Sequence, residues 1–149
     1  MTDSQTERTR AVIDKLYDAY LTGNTEGMLA LMAPDVKVTF NYAGTFTGMA
    51  EARPFMTWNG AQLPELTFNV RHKIIDGNRA AVTWDETGKT IRGDDWSSIG
   101  VDVYRVEGDL IIEMTCYSDT DKVARLLDPY PGPSQSESIS PQRQGRPPG

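Results

Sequence analysis

Residues 99–119, with the sequence IGVDVYRVEGDLIIEMTCYSD, have the strongest strand character in this chain. β-Branched and aromatic residues stand on both sides of a Glu-Gly-Asp turn at residues 107–109, a pattern that predicts a β-hairpin. In strict alternation Asp102 shares one face of its strand with Tyr104, while Val101 points to the other face. A carboxyl group in mid-strand either faces solvent or lies in a cavity. Most of the functional interpretation depends on which of the two holds for Asp102.

The spacing of apolar residues predicts three helices and three further strands before this hairpin. The helices are expected over residues 9–22, 25–32 and 49–59. The strands are expected over residues 36–42, 66–75 and 79–87, and a last helical turn is expected over residues 121–127. This order of elements is that of an α+β fold with a mostly antiparallel sheet. A strongly curved sheet with helices laid over its concave face forms a cone-shaped α+β barrel that encloses a pocket.

The length of 149 residues suffices for one domain with a sizeable core, which we place at residues 9–127. Residues 1–8 are polar, and we expect them to be disordered. The composition changes at residue 128, because six of the nine prolines lie in residues 128–149 with Ser, Gln and Gly between them. This tail has little to bury and is predicted to be disordered.

The charge and the cysteine content restrict the partners and the compartment. A formal net charge of −6 argues against nucleic acid or an anionic membrane as a partner, because both bind basic patches. A single cysteine excludes an internal disulfide, so nothing requires an oxidising compartment. Neither an apolar signal segment nor a run of transmembrane length is present in the sequence, and we therefore expect a cytoplasmic location.

Two segments of the chain resemble a known family. Residues 11–42, which include the run YLTGNTEGMLALMAPD, are similar to the opening of the ketosteroid isomerase and SnoaL-like polyketide cyclase group, part of the nuclear transport factor 2-like superfamily. The hairpin GVDVYRVEG and its ending EMTCYSDT resemble the closing hairpin of SnoaL-like proteins. The resemblance covers residues 9–127 and implies the cone-shaped fold. Because the superfamily contains isomerases, cyclases, epoxide hydrolases, dehydratases and non-catalytic members, it does not name a reaction.

The resemblance to ketosteroid isomerase assigns a role to Asp102. This residue stands where that enzyme has a protonated aspartic acid, which an apolar site keeps neutral as an oxyanion-hole donor. The same alignment places Phe40 at the position of the general-base aspartate and Leu16 at the position of the donor tyrosine. Both substitutions argue against ketosteroid isomerisation itself.

The resemblance to limonene-epoxide hydrolase is also incomplete. That enzyme uses an Asp-Arg-Asp set, and the alignment puts Asp85 at its arginine, Thr87 at the neighbouring aspartate and Cys116 at the last aspartate. SnoaL-type cyclases also carry an aspartate at the position of Cys116. The chain therefore keeps no catalytic set of the family intact.

Alternation along the predicted strands places Asp85 and Asp102 on the pocket face, as the candidate catalytic pair. Two carboxyl groups that face one dry cavity cannot both ionise cheaply, so one would be a base and the other an acid or oxyanion donor. Alternatively, either carboxyl group faces solvent or bonds the backbone. Tyr20 is the third candidate catalytic residue, as a hydrogen-bond donor to a substrate oxygen. The candidate substrate-binding residues are Phe40, Tyr42, Trp58, Thr87, Tyr104, Met114 and Cys116.

The remaining polar candidates predict no metal site and no cofactor. His72 is the only histidine, and we expect it on the surface of its strand. Cys116 is expected to be a small, inert core residue. The outer face of the sheet is predicted to be apolar and to form a homodimer, because a monomer has no helix left to cover it. The residues assigned to that face are Val82, Trp84, Ile99, Val101 and Val103.

Three functional hypotheses follow. The first is a SnoaL-like pocket enzyme that acts without a cofactor on a small apolar oxygenated molecule, by isomerisation or cyclisation through an enolate. The second is epoxide hydrolysis of the limonene-epoxide hydrolase type, against which stands the missing arginine. The third is a non-catalytic protein that binds a hydrophobic metabolite.

Overall fold

The computed structural model describes residues 4–132, and within that range the chain forms four helices and six strands. The helices are α1 (Ser4–Leu21), α2 (Thr25–Leu29), α3 (Met49–Ala61) and α4 (Thr120–Leu126). The strands are β1 (Met32–Phe40), β2 (Gly44–Thr47), β3 (Glu65–Asp76), β4 (Arg79–Lys89), β5 (Asp95–Glu107) and β6 (Leu110–Tyr117). The disorder predicted for residues 1–3 and 133–149 lies outside the described residues. No helix within residues 4–132 is long and apolar enough to cross a membrane.

The strands form one sheet in the order β2-β1-β6-β5-β4-β3. β1 and β6 run parallel, and the other neighbouring strands are antiparallel. The predicted hairpin is the β5–β6 pair, in which Asp102 lies opposite Cys116 and Tyr104 opposite Met114. Gly108 in its turn has a φ of 60°, a left-handed conformation that costs glycine little. The architecture is the predicted α+β fold, a strongly curved sheet with helices over its concave face.

Helix α1 packs against β3 and β4 on the inner face of the sheet. Its buried residues recur at helical spacing and include Val12, Ile13, Leu16 and Tyr17. The helix begins at Ser4, five residues before the predicted start. The Gly77 N–H donates to Oγ1 of Thr6, and Oγ1 of Thr9 donates to the Gly77 carbonyl, each at 2.8 Å. These two hydrogen bonds connect the first turns of α1 to the β3–β4 turn. They explain why residues 4–8 are helical.

β4 presents to the interior the face opposite to the one that we predicted. Val82 lies directly opposite Asp102 in the β4–β5 pair, so the two side chains share a face. That face also holds Trp84 and Glu86, both buried. Val82 and Trp84 are therefore not part of the outer face, and Asp85 is not part of the inner one.

The prediction for β4 was wrong because it turned the polar residues Asp85 and Thr87 toward the pocket instead of the apolar residues of the strand. Ala80, Val82 and Trp84 alternate along the strand and are almost completely buried. The Trp84 ring lies 5.3 Å from that of Phe68 on β3, between centroids. Burying an indole ring stabilises a fold by roughly 2 to 3 kcal/mol, which decides the direction in which the whole strand faces.

The C-terminal part of the described chain packs on the domain. Tyr130 makes ring contacts with Phe46, Phe55 and Trp58 at centroid distances of 5.6, 5.2 and 5.4 Å. The ordered chain thus continues past residue 127, where we predicted the disordered tail to begin. The prediction of disorder rested on the Pro-rich composition of this segment. It did not take account of Tyr130, whose ring packs on three other aromatic rings.

Candidate functional site

A cavity of about 490 Å³ lies between helix α1, helix α3 and the inner face of the sheet. Its wall is mostly apolar, with a few polar groups, which is the usual composition of a small-ligand site. The predicted residues that line it are Tyr20, Phe40, Tyr42, Asp102, Tyr104, Met114 and Cys116. Further lining residues that we did not predict include Tyr17, Phe68 and Glu86.

Asp102 is buried at the centre of a hydrogen-bonded group, with 6% of its surface exposed. The Tyr17 hydroxyl donates to Oδ2 of Asp102 at 2.6 Å, and it is 2.8 Å from the Tyr104 hydroxyl. The Tyr104 hydroxyl is itself 3.4 Å from the same Oδ2. Burial raises the pKa of Asp102, while these neutral donors act in the opposite direction.

The second oxygen of this carboxyl group is in a different situation. Oδ1 of Asp102 has no hydrogen-bond partner among the described residues, and the same holds for Nε1 of Trp84. The Trp84 indole and the Cys116 thiol are near enough to the carboxyl group to lower its pKa, but neither makes a bond of normal geometry to Oδ1. A buried polar atom without a partner costs about 1 to 3 kcal/mol, so these two atoms lower the stability of the fold locally.

Glu86 provides the second carboxyl group of the cavity. It is 7% exposed, and the Trp96 indole N–H donates to its Oε2 at 2.8 Å. The pKa of Glu86 is raised to about 7, mainly by burial and further by the nearby Asp102, while the Trp96 hydrogen bond acts in the opposite direction. A carboxyl group of this pKa exchanges protons readily at neutral pH, which is what a general acid or base requires.

Asp85 lies on the outer face of the sheet, which corrects its prediction as the partner of Asp102. Its carboxylate forms an ion pair with Arg71 and accepts a 3.0 Å hydrogen bond from the Asn69 side chain. The Arg71 hydrogen bond is the main reason why the pKa of Asp85 is below its ordinary value. Thr87 is exposed on the same outer face, so it does not belong to the cavity either.

Trp58 also lies away from this cavity. It lines a smaller adjacent depression of about 300 Å³ together with Pro129 and Tyr130. α3 turns the Trp58 ring toward the C-terminal segment, where it packs on Tyr130. Tyr42 borders both hollows, and its hydroxyl donates to Oδ1 of Asn59 at 2.8 Å.

Tyr20 and Cys116 lie in the cavity wall near both carboxyl groups. Burial raises the pKa of Tyr20, and Glu86 and Asp102 raise it further, so its hydroxyl stays protonated and able to donate. Burial likewise raises the pKa of the Cys116 thiol, followed by the effect of Asp102. A buried thiol that stays protonated is a poor nucleophile.

Some of the missed residues carried a sequence signal. Tyr17 follows Ile13 and precedes Tyr20 at helical spacing, so it belongs to the apolar stripe of α1 that we assigned to Leu16 and Tyr20. Glu86 has the parity of Val82 and Trp84 along β4. The hydrogen bond between Trp96 and Glu86 had no such signal, because it depends on the register between β4 and β5.

The charge balance of the cavity is uneven. Two carboxyl groups face it, and the described residues that line it include no lysine, arginine or histidine. Within residues 4–132 no group of three or more His, Cys, Asp or Glu side chains is placed to hold a metal ion.

Residues 13–114 match the family model of the SnoaL-like domain. The chain belongs to the SnoaL-like domain family. A search of curated proteins finds no match. The fold, the cavity and the family agree with the resemblance seen in the opening and closing segments of the chain.

Solved structures with the same fold have diverse assignments. An NTF2-like protein of unknown function from Burkholderia pseudomallei is 23% identical, with a TM-score of 0.73 over 80% of this chain and 97% of that one. A protein assigned as a SnoaL-like polyketide cyclase from Jannaschia is 17% identical, with a TM-score of 0.69 over 84% and 94%. A protein assigned as a ketosteroid isomerase from Kribbella flavida is 25% identical, with a TM-score of 0.62 over 85% and 83%. A reaction for this chain must therefore be inferred from the residues of its own site.

Proposed function

We propose that this SnoaL-like protein is a cofactor-independent enzyme that isomerises or cyclises a small, apolar carbonyl compound through an enolate. Glu86 is the general base in this proposal and replaces Asp85 as the second carboxyl group beside Asp102. Asp102 is the hydrogen-bond donor to the carbonyl oxygen, and Tyr20 is a further donor at the cavity wall.

One observation carries the proposal: two buried carboxyl groups share the cavity in different environments. Glu86 has a pKa of about 7 and one oxygen held by Trp96. Asp102 has its Oδ2 held by Tyr17, a raised pKa, and an Oδ1 without a partner among the described residues. Carboxyl groups with distinct environments are how a single cavity obtains both an acid and a base.

The proposed reaction conserves charge inside the cavity. Oε1 of ionised Glu86 removes a proton from the carbon next to the carbonyl group. The C–H electron pair forms a C=C bond, and the π pair of the carbonyl group moves onto its oxygen. The protonated Oδ1 of Asp102 donates a hydrogen bond to this oxygen as its charge develops. Glu86 then returns the proton to a different carbon as the carbonyl group re-forms. Alternatively, the enolate carbon attacks a second carbonyl carbon of the same molecule, whose π electron pair moves onto its own oxygen, and this oxygen takes the proton from Glu86. One negative charge moves and no second one is created, which suits a cavity with a mostly apolar wall.

The other two hypotheses have less support. Epoxide hydrolysis of the limonene type needs an arginine between its carboxylates, and none lies among the described residues that line the cavity. A binding protein needs neither a carboxyl group of neutral pKa nor a second one beside it. Burying two carboxyl groups destabilises the fold, and an apolar metabolite gains no interaction from them.

Proton exchange tests the proposal without knowledge of the natural substrate. A panel of cyclic ketones is incubated in D₂O with the protein, and loss of the α-proton signals is followed by NMR. We expect Glu86→Gln to slow exchange by about 100-fold, Asp102→Asn to slow it, and Asp85→Asn to leave it unchanged. Binding of the same ketones should survive in all three variants. Exchange that is equally fast in Glu86→Gln, or absent from the wild type with every bound ketone, would overturn the proposal.

A further inference from the structure

The cavity combines aromatic walls with uncompensated carboxyl groups. The Tyr20 and Phe68 rings meet edge to face with centroids 4.8 Å apart, and Phe68 continues to Trp84 at 5.3 Å. The rings of Tyr20, Phe68 and Trp84 form an aromatic wall of the cavity. Glu86 and Asp102 line the same cavity. The partner of Glu86 is the neutral Trp96 indole and that of Asp102 is the neutral Tyr17 hydroxyl.

Two acidic residues of the surface have an arginine partner, which Glu86 and Asp102 lack. Asp85 is paired with Arg71 and Asp109 with Arg8, and the pKa of each carboxyl group is lowered by its arginine. Within the described lining of the cavity there is no such cation for Glu86 or Asp102. In addition, Oδ1 of Asp102 has no hydrogen-bond partner among the described residues.

We propose that the cavity binds hydrophobic organic cations, namely amines with an aromatic or alicyclic body, with the cationic nitrogen beside Glu86 and against the wall of Tyr20, Phe68 and Trp84. A cation supplies the charge that the carboxylate lacks and is attracted to the faces of aromatic rings. Carboxylates and phosphates of the same size are excluded, because they would add a further negative charge beside two acids. This inference concerns binding and does not rest on the proposed catalysis.

Protonation of Glu86 controls this binding. The titratable groups that face Glu86 are Asp102 on β5, Tyr20 on α1, Tyr42 after β1 and Cys116 on β6. The tyrosines and the cysteine have raised pKa values and stay neutral up to pH 8.5. Because a cation binds the ionised form of Glu86, its affinity should be highest above pH 8 and should fall as the pH passes below 7.

The test uses two ligands of the same shape. Trimethyl(2-naphthylmethyl)ammonium carries a charge that does not change with pH, and 2-neopentylnaphthalene is its uncharged counterpart. Both are titrated against the full-length protein by fluorescence between pH 5.5 and 8.5, with 2-naphthylacetate as the anion. We expect the cation to bind about tenfold more tightly than the uncharged compound at pH 8.5, with most of this preference lost at pH 5.5. The anion should bind most weakly of the three at every pH.

Adjacent residues of β4 give matched variants. Glu86→Gln should remove the preference for the cation and its pH dependence, while Asp85→Asn on the outer face should keep both. The two naphthalene ligands should compete, since they occupy one cavity. Equal affinities for cation and uncharged compound in the wild type at pH 8.5 would overturn the inference, even if Glu86→Gln failed to fold. A cation preference that persists in Glu86→Gln would also overturn it.

Discussion

The Tyr17 hydroxyl donates a 2.6 Å hydrogen bond to Oδ2 of Asp102, and so joins helix α1 to the central strand β5 across 85 residues of sequence. The hydroxyl of Tyr104 completes the group at 2.8 Å from that of Tyr17. These contacts hold Oδ2 of the carboxyl group, while Oδ1 has no hydrogen-bond partner among the described residues. Burial raises the pKa of Asp102, whereas the hydrogen bonds from the two tyrosines act in the opposite direction.

Replacement of Tyr17 by phenylalanine should destabilise the fold. The change removes the shortest hydrogen bond of a buried carboxyl group, and we expect a loss of about 2 kcal/mol in the free energy of unfolding. Urea denaturation at pH 7 measures this loss. Tyr117→Phe is the control, because the Tyr117 side chain is 45% exposed and its hydroxyl loss should cost little. Equal unfolding free energies for the two variants would contradict the prediction.

Glu86 should make the protein less stable as the pH rises from 4.5 to 7. Its pKa is raised in the folded state from 4.5 to about 7, so between these values the unfolded chain loses its proton while the folded protein keeps it. The unfolded state is thereby favoured, by about 1.4 kcal/mol per pKa unit and about 3 kcal/mol in all. Above pH 7 this contribution no longer changes.

Urea denaturation of the wild type and Glu86→Gln at a series of pH values isolates this effect. The difference in unfolding free energy between the two proteins should change by about 3 kcal/mol between pH 4.5 and 7.5, in the direction that favours Glu86→Gln at high pH. Asp85→Asn should run parallel to the wild type over this range, because Arg71 lowers the pKa of Asp85 below its ordinary value and both the folded and the unfolded protein ionise it below pH 4.5. Parallel curves for the wild type and Glu86→Gln would contradict the prediction.

Much of the fold could be predicted from the sequence because its signals are local. The β5–β6 hairpin has strand formers on both sides of a Gly turn, and the α1 stripe has helical spacing. The start of α1 could not be predicted in this way, because Thr6 and Thr9 are held by Gly77, about 70 residues away. The packing of Tyr130 depends in the same way on rings from distant elements.

The candidate site was harder to predict because it depends on strand phase. Alternation placed Asp102 correctly on the face of Tyr104. On β4, however, the prediction interchanged the inner and outer faces, so it placed Asp85 in the pocket instead of Glu86. A shift of one residue turns every side chain of a strand to the other face. The register that decides this, Val82 opposite Asp102, is a long-range property of the sheet.

Gly100 should not tolerate a side chain. A Cβ atom at this position would lie 2.4 Å from Cζ2 of Trp84 and 2.5 Å from the carbonyl oxygen of Tyr117. Because the backbone of β6 cannot move away cheaply, we expect Gly100→Ala to destabilise the fold by about 2 kcal/mol and to displace the Trp84 ring. Gly60→Ala in α3 is the control, since a Cβ atom there meets nothing within 4 Å.

Thermal unfolding and tryptophan fluorescence measure the two consequences. Gly100→Ala should lower the melting temperature and change the emission of the tryptophans, whereas Gly60→Ala should do neither. An unchanged melting temperature for Gly100→Ala would show that β5 and β6 can separate at this point without cost.

The outer face of the sheet is the proposed surface of a homodimer. Ile99 on β5 is 74% exposed, Ile74 on β3 is 62% exposed, and Tyr117 on β6 is 45% exposed, while Val101 and Val103 lie between them. Apolar residues that adjoin on one face usually mark an interface. We expect light scattering at micromolar concentration to give the mass of a dimer, and Ile99→Asp to give a monomer. Ile91→Asp, at an isoleucine outside the sheet that is 52% exposed, should stay dimeric. A wild-type protein of monomeric mass would refute the proposal and leave this apolar face without a partner.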